Sequence, residues 1–139
     1  MDLEECLEKG FLKKTKVERE RIEKELDESE KDFKDANASL RARKFKWAII
    51  QSYYSMFHAA KAVLLSLGFK ERRHFAIAVV LDDLVKGKKL ESKFVDYFKA
   101  GVFTREEADY ELEYSQERAK SLLETVEEFN RRMRDLLKT

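Results

Sequence analysis

The chain has 139 residues, the usual length of one domain and enough to bury a core without disulfides or metals. Its 29 basic and 28 acidic residues give a net charge of only +1, which excludes a global field that would attract nucleic acid. The single cysteine excludes an intramolecular disulfide, and no Cys/His cluster has the spacing of a zinc site. The first ten residues are acidic, unlike an export signal, so we expect a cytoplasmic protein. We also expect no metal or other cofactor.

The composition favours one helical domain over residues 1–139, because 41% of residues are charged, 43% are hydrophobic and none is proline. Residues 1–16 are expected to form an N-terminal extension with a short helix that ends near Gly10. The first long helix is predicted from Val17 to Lys44. There, residues spaced alternately four and three apart form a single stripe: Ile22, Leu26, Ser29, Phe33, Ala36 and Leu40.

The segment from Lys46 to Phe69 is apolar on nearly every side, which predicts the buried central helix of a bundle. Trp47 is expected in one of its buried stripes. A membrane span is the competing interpretation, but polar residues interrupt the segment before it reaches the roughly 18 apolar residues that spanning requires. These are Gln51, Ser52, Ser55, His58 and Lys61. We therefore expect no membrane association.

Three further helices are predicted after Gly68, which stands where a helix-ending glycine is expected. They run from about Arg73 to Lys86, from about Glu91 onward, and from about Ser115 to Lys138. The second of them is expected to bend or restart, because Gly101 is a weak point and Thr104 with Glu107 has the spacing of a capping box. The fold class is therefore all-α, with about five main helices.

Two basic runs lie near helix ends. Arg72, Arg73 and His74 belong to a short loop just before a predicted helix, and both clustered arginines and helix N-termini favour phosphate. We therefore predict a nucleotide or RNA contact there, with ordinary solvated charge as the alternative. The second run, which includes Arg131 and Arg132, is expected to form ion pairs with the glutamates four residues earlier.

Two motifs give the chain a family resemblance. They are SYYSMFHAAKAVLLSLGF, which follows a long charged helix, and REEADYELEYS, which precedes the final helix. In this order and separation they resemble the HEPN family over roughly Ile22 to Leu137. The resemblance implies an up-and-down helical bundle, usually a homodimer. It also implies pairing with a small nucleotidyltransferase in a toxin–antitoxin module, in which active members cleave RNA.

The ribonuclease motif of that family is an arginine followed, after four to six residues, by a histidine. In this chain Arg105 is followed five positions later by Tyr110, so the histidine of the motif is missing. The resemblance makes Arg105, Asp109 and Tyr110 the candidate catalytic residues. Arg105 would supply positive charge and Tyr110 would position a phosphate, since a tyrosine with an ordinary pKa of about 10 is a poor base at neutral pH.

A structural interpretation of the same segment is that Asp109 pairs with Arg105 while the Tyr110 ring packs against the bundle. His58 is interpreted mainly as a core or interface histidine. Tyr53 and Tyr54 are expected to be core residues whose hydroxyls need partners. Two other function classes stay open, namely a non-catalytic module that binds nucleotide or scaffolds a partner, and a purely structural dimerisation bundle.

Overall fold

The computed structural model describes residues 1–112 and 114–138, which form six helices and one two-stranded sheet. The prediction of an all-α bundle is therefore confirmed. In chain order the elements are α1 (Leu3–Glu8), β1 (Leu12–Lys14), α2 (Arg19–Arg41), α3 (Phe45–Ser66), β2 (Phe69–Glu71), α4 (Phe75–Lys86), α5 (Ser92–Tyr110) and α6 (Gln116–Leu137). In this part of the chain no helix is long and apolar enough to cross a bilayer.

Helix α3 is the centre of the bundle, as its apolar sequence predicts. It packs against α2, α4, α5 and α6, and most of its residues are buried. It ends at Ser66, two residues before Gly68, which has φ +82°, a backbone conformation that other residues rarely adopt. Helix α6 lies chiefly against α3 and buries Val126, Phe129 and Met133 completely.

The N-terminal extension is part of the same core. Helix α1 packs against α4, while β1 pairs antiparallel with β2 so that Leu12 lies opposite Glu71 and Lys14 opposite Phe69. Cys6 and Leu12 are almost completely buried. The strand pair was not predicted, because three residues on each side are too few to show an alternating pattern.

Helix α5 continues without interruption over residues 92–110, so the predicted restart near Thr104 is wrong. The Thr104 hydroxyl donates to the carbonyl of Ala100 inside the helix instead of capping a new one. Gly101 is buried against α3, where an added Cβ would come within 2.3 Å of the Met56 methyl carbon. Close helix packing, not a helix end, explains this glycine.

Two further predictions fail at the surface. The side chain of Trp47 is 53% exposed, because the face of α3 that carries it is not covered by another helix of the described chain. Arg131 does pair with Glu127, but Arg132 pairs with Glu91 at 2.8 Å rather than with Glu128. Glu91, in the loop before α5, lies close enough to α6 to replace Glu128, one helical turn away, as the partner of Arg132.

Candidate functional site

Arg105 lies on α5 with its guanidinium over two tyrosine rings of α3. The guanidinium carbon is 5.5 Å from the ring centre of Tyr53 and 5.7 Å from that of Tyr54. One terminal nitrogen donates to the Tyr54 hydroxyl at 3.4 Å and lies 3.7 Å from a carboxylate oxygen of Asp109. The predicted Arg105–Asp109 pair is therefore confirmed, and Tyr54 is a partner that the sequence did not reveal.

The surroundings of Arg105 leave its side chain only partly accessible. Its side chain is 23% exposed, and its Nε is buried without a hydrogen-bond partner in the described residues. Burial raises the pKa of Tyr53 to about 12, so this ring stays neutral beneath the cation. A fixed guanidinium of this kind can bind an anion but cannot act as a base near neutral pH.

Tyr110 lies apart from this group, with a side chain that is 70% exposed. The interpretation that its ring packs against the bundle is therefore wrong. The cause is helix geometry: residues four apart lie about 40° apart around a helix, whereas residues five apart lie about 140° apart. Asp109 thus shares a face with Arg105, and Tyr110 does not.

Arg72, Arg73 and His74 are exposed just before α4, as predicted. The backbone amides of Arg72 and Arg73 donate to the carbonyl of Phe11, at 2.8 and 3.2 Å, so the N-terminal extension fixes this turn. Neither arginine has an ion-pair partner among residues 1–112 and 114–138. Their charges are available to an external anion.

An aromatic row on α3 connects the two predicted groups. The Phe57 ring contacts that of His74 at 4.9 Å between ring centres, and those of Tyr53 and Tyr54 at 6.0 and 6.1 Å. Because the same two tyrosines lie beneath Arg105, a row of ring contacts, in which Tyr53 and Phe57 are buried, connects Arg105 to His74. The sequence did not reveal this connection, because it depends on how α4 and α5 pack against α3.

His58 lies at the other edge of Phe57, between two carboxylates of α2. Its Nδ1 is 2.6 Å from a Glu25 oxygen and its Nε2 is 3.7 Å from an Asp32 oxygen. The imidazole is 21% exposed, which agrees with a largely buried and satisfied histidine. Glu25 and Asp32 were missed because they belong to the charged face of α2, which resembles a solvated surface in the sequence.

The two carboxylates beside His58 have pKa values shifted in opposite directions. Burial disfavours ionisation of Glu25, but the hydrogen bond with His58 and the charge of Lys61 outweigh it, so the pKa of Glu25 lies below its ordinary value. Burial raises the pKa of Asp32, and the charges of Glu28 and Asp35 add to the rise. Glu25 is therefore the carboxylate that stabilises the fold when ionised.

We expect Glu25→Gln to lower the free energy of unfolding at pH 7 by about 1 kcal/mol, because a partly exposed charge-assisted hydrogen bond is lost. A carboxylate with a lowered pKa contributes stability above its unfolded pKa and loses it as pH falls through the folded value. The difference between the parent and the variant should therefore persist above pH 5 and shrink below the ordinary pKa of 4.5. Urea unfolding at several pH values measures this difference.

The matched control is Asp32→Asn on the same helix. Since Asp32 has a raised pKa, its removal should leave stability at pH 7 within about 0.5 kcal/mol of the parent or increase it. Equal losses in the two variants would contradict the assignment of Glu25 as the stabilising partner.

Within the described residues no cluster of three or more His, Cys, Asp or Glu side chains could hold a metal ion. The arrangement that they do form is an α-helical bundle with a fixed arginine and a row of aromatic rings on its central helix. Residues 22–136 match the HEPN domain family, and the chain belongs to that family. The resemblance predicted from the sequence is thereby confirmed.

Two individual proteins are similar to this chain. A protein of Methanocaldococcus jannaschii named as a candidate toxin, MJ0142, is 26% identical over 105 residues, which are 73% of this chain and 71% of that protein. The UPF0332 protein PH1297 of Pyrococcus horikoshii is 40% identical over 58 residues, which are 42% of this chain and 41% of that protein. The second match spans less than half of either protein.

Proposed function

We propose that this HEPN protein is toxin-like and targets RNA, and that it acts in the cytoplasm as one half of a toxin–antitoxin pair with a small nucleotidyltransferase. The observation that supports it is the Arg105 guanidinium, which is held over Tyr53 and Tyr54 with one carboxylate partner. In this proposal Arg105 binds a backbone phosphate and the Tyr54 hydroxyl contributes a hydrogen bond. Arg72, Arg73 and His74, which are exposed at the other end of the row of rings, supply a second phosphate contact.

The proposal includes a homodimer. Its support is the uncovered face of α3, where Trp47 is 53% exposed on a helix that is otherwise mostly buried. A two-fold contact along this face would bring two copies of the Arg105 group towards each other. A monomer by light scattering at micromolar concentration would contradict this part.

A non-catalytic nucleotide-binding or scaffolding module is the second candidate function. It is favoured by the groups in direct contact with Arg105, which are Tyr53, Tyr54 and Asp109, because metal-independent RNA cleavage needs a proton acceptor that titrates near neutrality. The pKa of Tyr53 is about 12, and both ring nitrogens of His58 face carboxylates. In that case RNA or nucleotide binds without being cleaved.

We expect Arg105→Ala to weaken binding of labelled single-stranded RNA by about tenfold or more, because a charge-assisted phosphate contact is lost. Arg105→Lys should recover only part of the affinity, since an ammonium keeps the charge but not the planar fork. Fluorescence anisotropy measures binding, and incubation of the same RNA with EDTA measures metal-independent cleavage. Cleavage by the parent that is lost in Arg105→Ala supports a ribonuclease, whereas binding without cleavage supports the second candidate.

Arg41→Ala is the matched control, because it removes one exposed arginine at the end of α2, away from the row of rings between Arg105 and His74. It should bind RNA like the parent. If Arg105→Ala also bound RNA like the parent while keeping its melting temperature, the proposed role of Arg105 would be wrong.

A further inference from the structure

A second anion-attracting feature lies where the start of α2, the end of α3 and β2 meet. It is a cleft of about 210 Å³, which we call the basic cleft. Four of its lining residues are cations and one is an acid: Arg21, Lys24, Lys61, Lys70 and Glu25, with Leu65 completing the wall. Arg105, Tyr54 and His74 are not part of it.

Lys61 is held rigidly at this cleft. Its ammonium is 3.5 Å from a Glu25 oxygen, 3.8 Å from a Glu71 oxygen and 5.4 Å from the centre of the Phe57 ring. The other oxygen of Glu25 is bound to His58, so both oxygens of the only acid in the lining are occupied. The carboxylate of Glu25 is thus compensated by its neighbours Lys61 and His58.

Of the other lining cations, Arg21 lies 3.8 Å from a carboxylate oxygen of Glu18, whereas the two remaining lysines lack such compensation among the described residues. Lys24 and Lys70 form no ion pair within residues 1–112 and 114–138, and neither does Lys13. Lys13 lies directly opposite Lys70 in the strand pair, so both side chains stand on the same face of the sheet. Like charges directly opposite each other destabilise a strand pair, and a bound anion between the two lysines would reduce this repulsion.

We propose that the basic cleft binds a phosphate group, either from a nucleotide or from the backbone of single-stranded RNA. Its volume is below the roughly 300 Å³ at which pockets enclose whole drug-sized ligands, so it suits one small anion rather than a base with its sugar. Convergence of several lysines and an arginine on one concave point favours a compact, multiply charged group over the spread carboxylates of an acidic protein surface. Only the source of the phosphate rests on the proposed function, not the site itself.

The test compares the parent with the double variant Lys24→Gln/Lys70→Gln, which should fold normally because neither lysine has an ion-pair partner in the described chain. Titration of inorganic phosphate should move amide NMR signals of residues 21–25 and 68–71 in a saturable manner. In the double variant we expect affinity for phosphate to fall about tenfold or more. For single-stranded RNA, the dependence of log affinity on log salt should become shallower by about 1.4, from two lost contacts.

The matched control is Lys99→Gln/Lys120→Gln, which removes two exposed lysines from α5 and α6. It should leave phosphate binding at the cleft unchanged. Saturation by AMP as well as by inorganic phosphate would indicate a nucleotide, and saturation by inorganic phosphate and oligomeric RNA but not by AMP would indicate a backbone. Arg105→Ala should keep the phosphate response of the cleft even if it no longer targets RNA, which separates the two proposals.

Equal phosphate affinity in the parent and in Lys24→Gln/Lys70→Gln would overturn the inference. A polyglutamate peptide that moves the same amide signals while phosphate does not would also overturn it.

Discussion

Replacing Phe129 with alanine should lower the free energy of unfolding by about 3 to 5 kcal/mol, a large part of the roughly 5 to 15 kcal/mol typical of a domain. The ring is completely buried and lies 6.4 Å from the ring centre of Phe94 and 6.1 Å from that of Phe98. Its removal leaves a cavity between α5 and α6, and the melting temperature should fall by about 10 °C or more. Urea unfolding followed by circular dichroism measures the loss.

Phe129→Leu is the conservative control, because it keeps most of the buried volume and should cost less than about 1.5 kcal/mol. Equal losses in the two variants would contradict the cavity explanation. A loss below 1 kcal/mol in Phe129→Ala would show that α6 contributes less to the core than its burial indicates.

Replacing Ser55 with alanine should cost about 2 to 3 kcal/mol, although the change removes only one oxygen atom. Ser29 and Ser55 each donate to the other's carbonyl at 2.7 Å, which ties α2 to α3. Asn130 of α6 also donates to the Ser55 hydroxyl at 2.9 Å. The variant leaves the Asn130 amide and the Ser29 carbonyl without this partner in the core, and chemical unfolding measures the cost.

Ser52→Ala is the matched control for this prediction. Ser52 lies three residues earlier on the same helix and is completely buried, but its hydroxyl has no hydrogen-bond partner in the described residues. Its removal should change stability by less than about 0.5 kcal/mol or increase it. A Ser52→Ala loss as large as that of Ser55→Ala would mean that lost packing, not the hydrogen bonds, is responsible.

Periodicity predicted the long helices and their buried stripes. The apolar residues of α6, such as Val126 and Met133, recur three and four apart and are buried. Local patterns of this kind depend only on 3.6 residues per turn and can be counted in the sequence. Gly101 and Thr104 misled the same reasoning, because a glycine that packs against Met56 of another helix resembles a helix end when only the sequence is considered.

The candidate site was predicted only in part. Arg105 and its partner Asp109 follow from family resemblance and from a spacing of four, but Tyr54 as the partner of the guanidinium does not. Tyr110 lies five positions after Arg105 and therefore about 140° away around the helix, so its absence from the face of Arg105 could have been predicted. The role of His58 as a satisfied residue was predicted, whereas its partners Glu25 and Asp32 were not.

By itself, the sequence determined that this protein is an all-α bundle of the HEPN family built around the helix with the SYYSMFHAA motif, since composition, periodicity and motif are local properties of the chain. The tertiary structure alone decided which charges are compensated. Lys61 meets Glu25 and Glu71, Arg105 meets Tyr54, and Lys13 faces Lys70. The physical reason is that electrostatic energy depends on distance and burial, which arise only when segments far apart in the chain pack together.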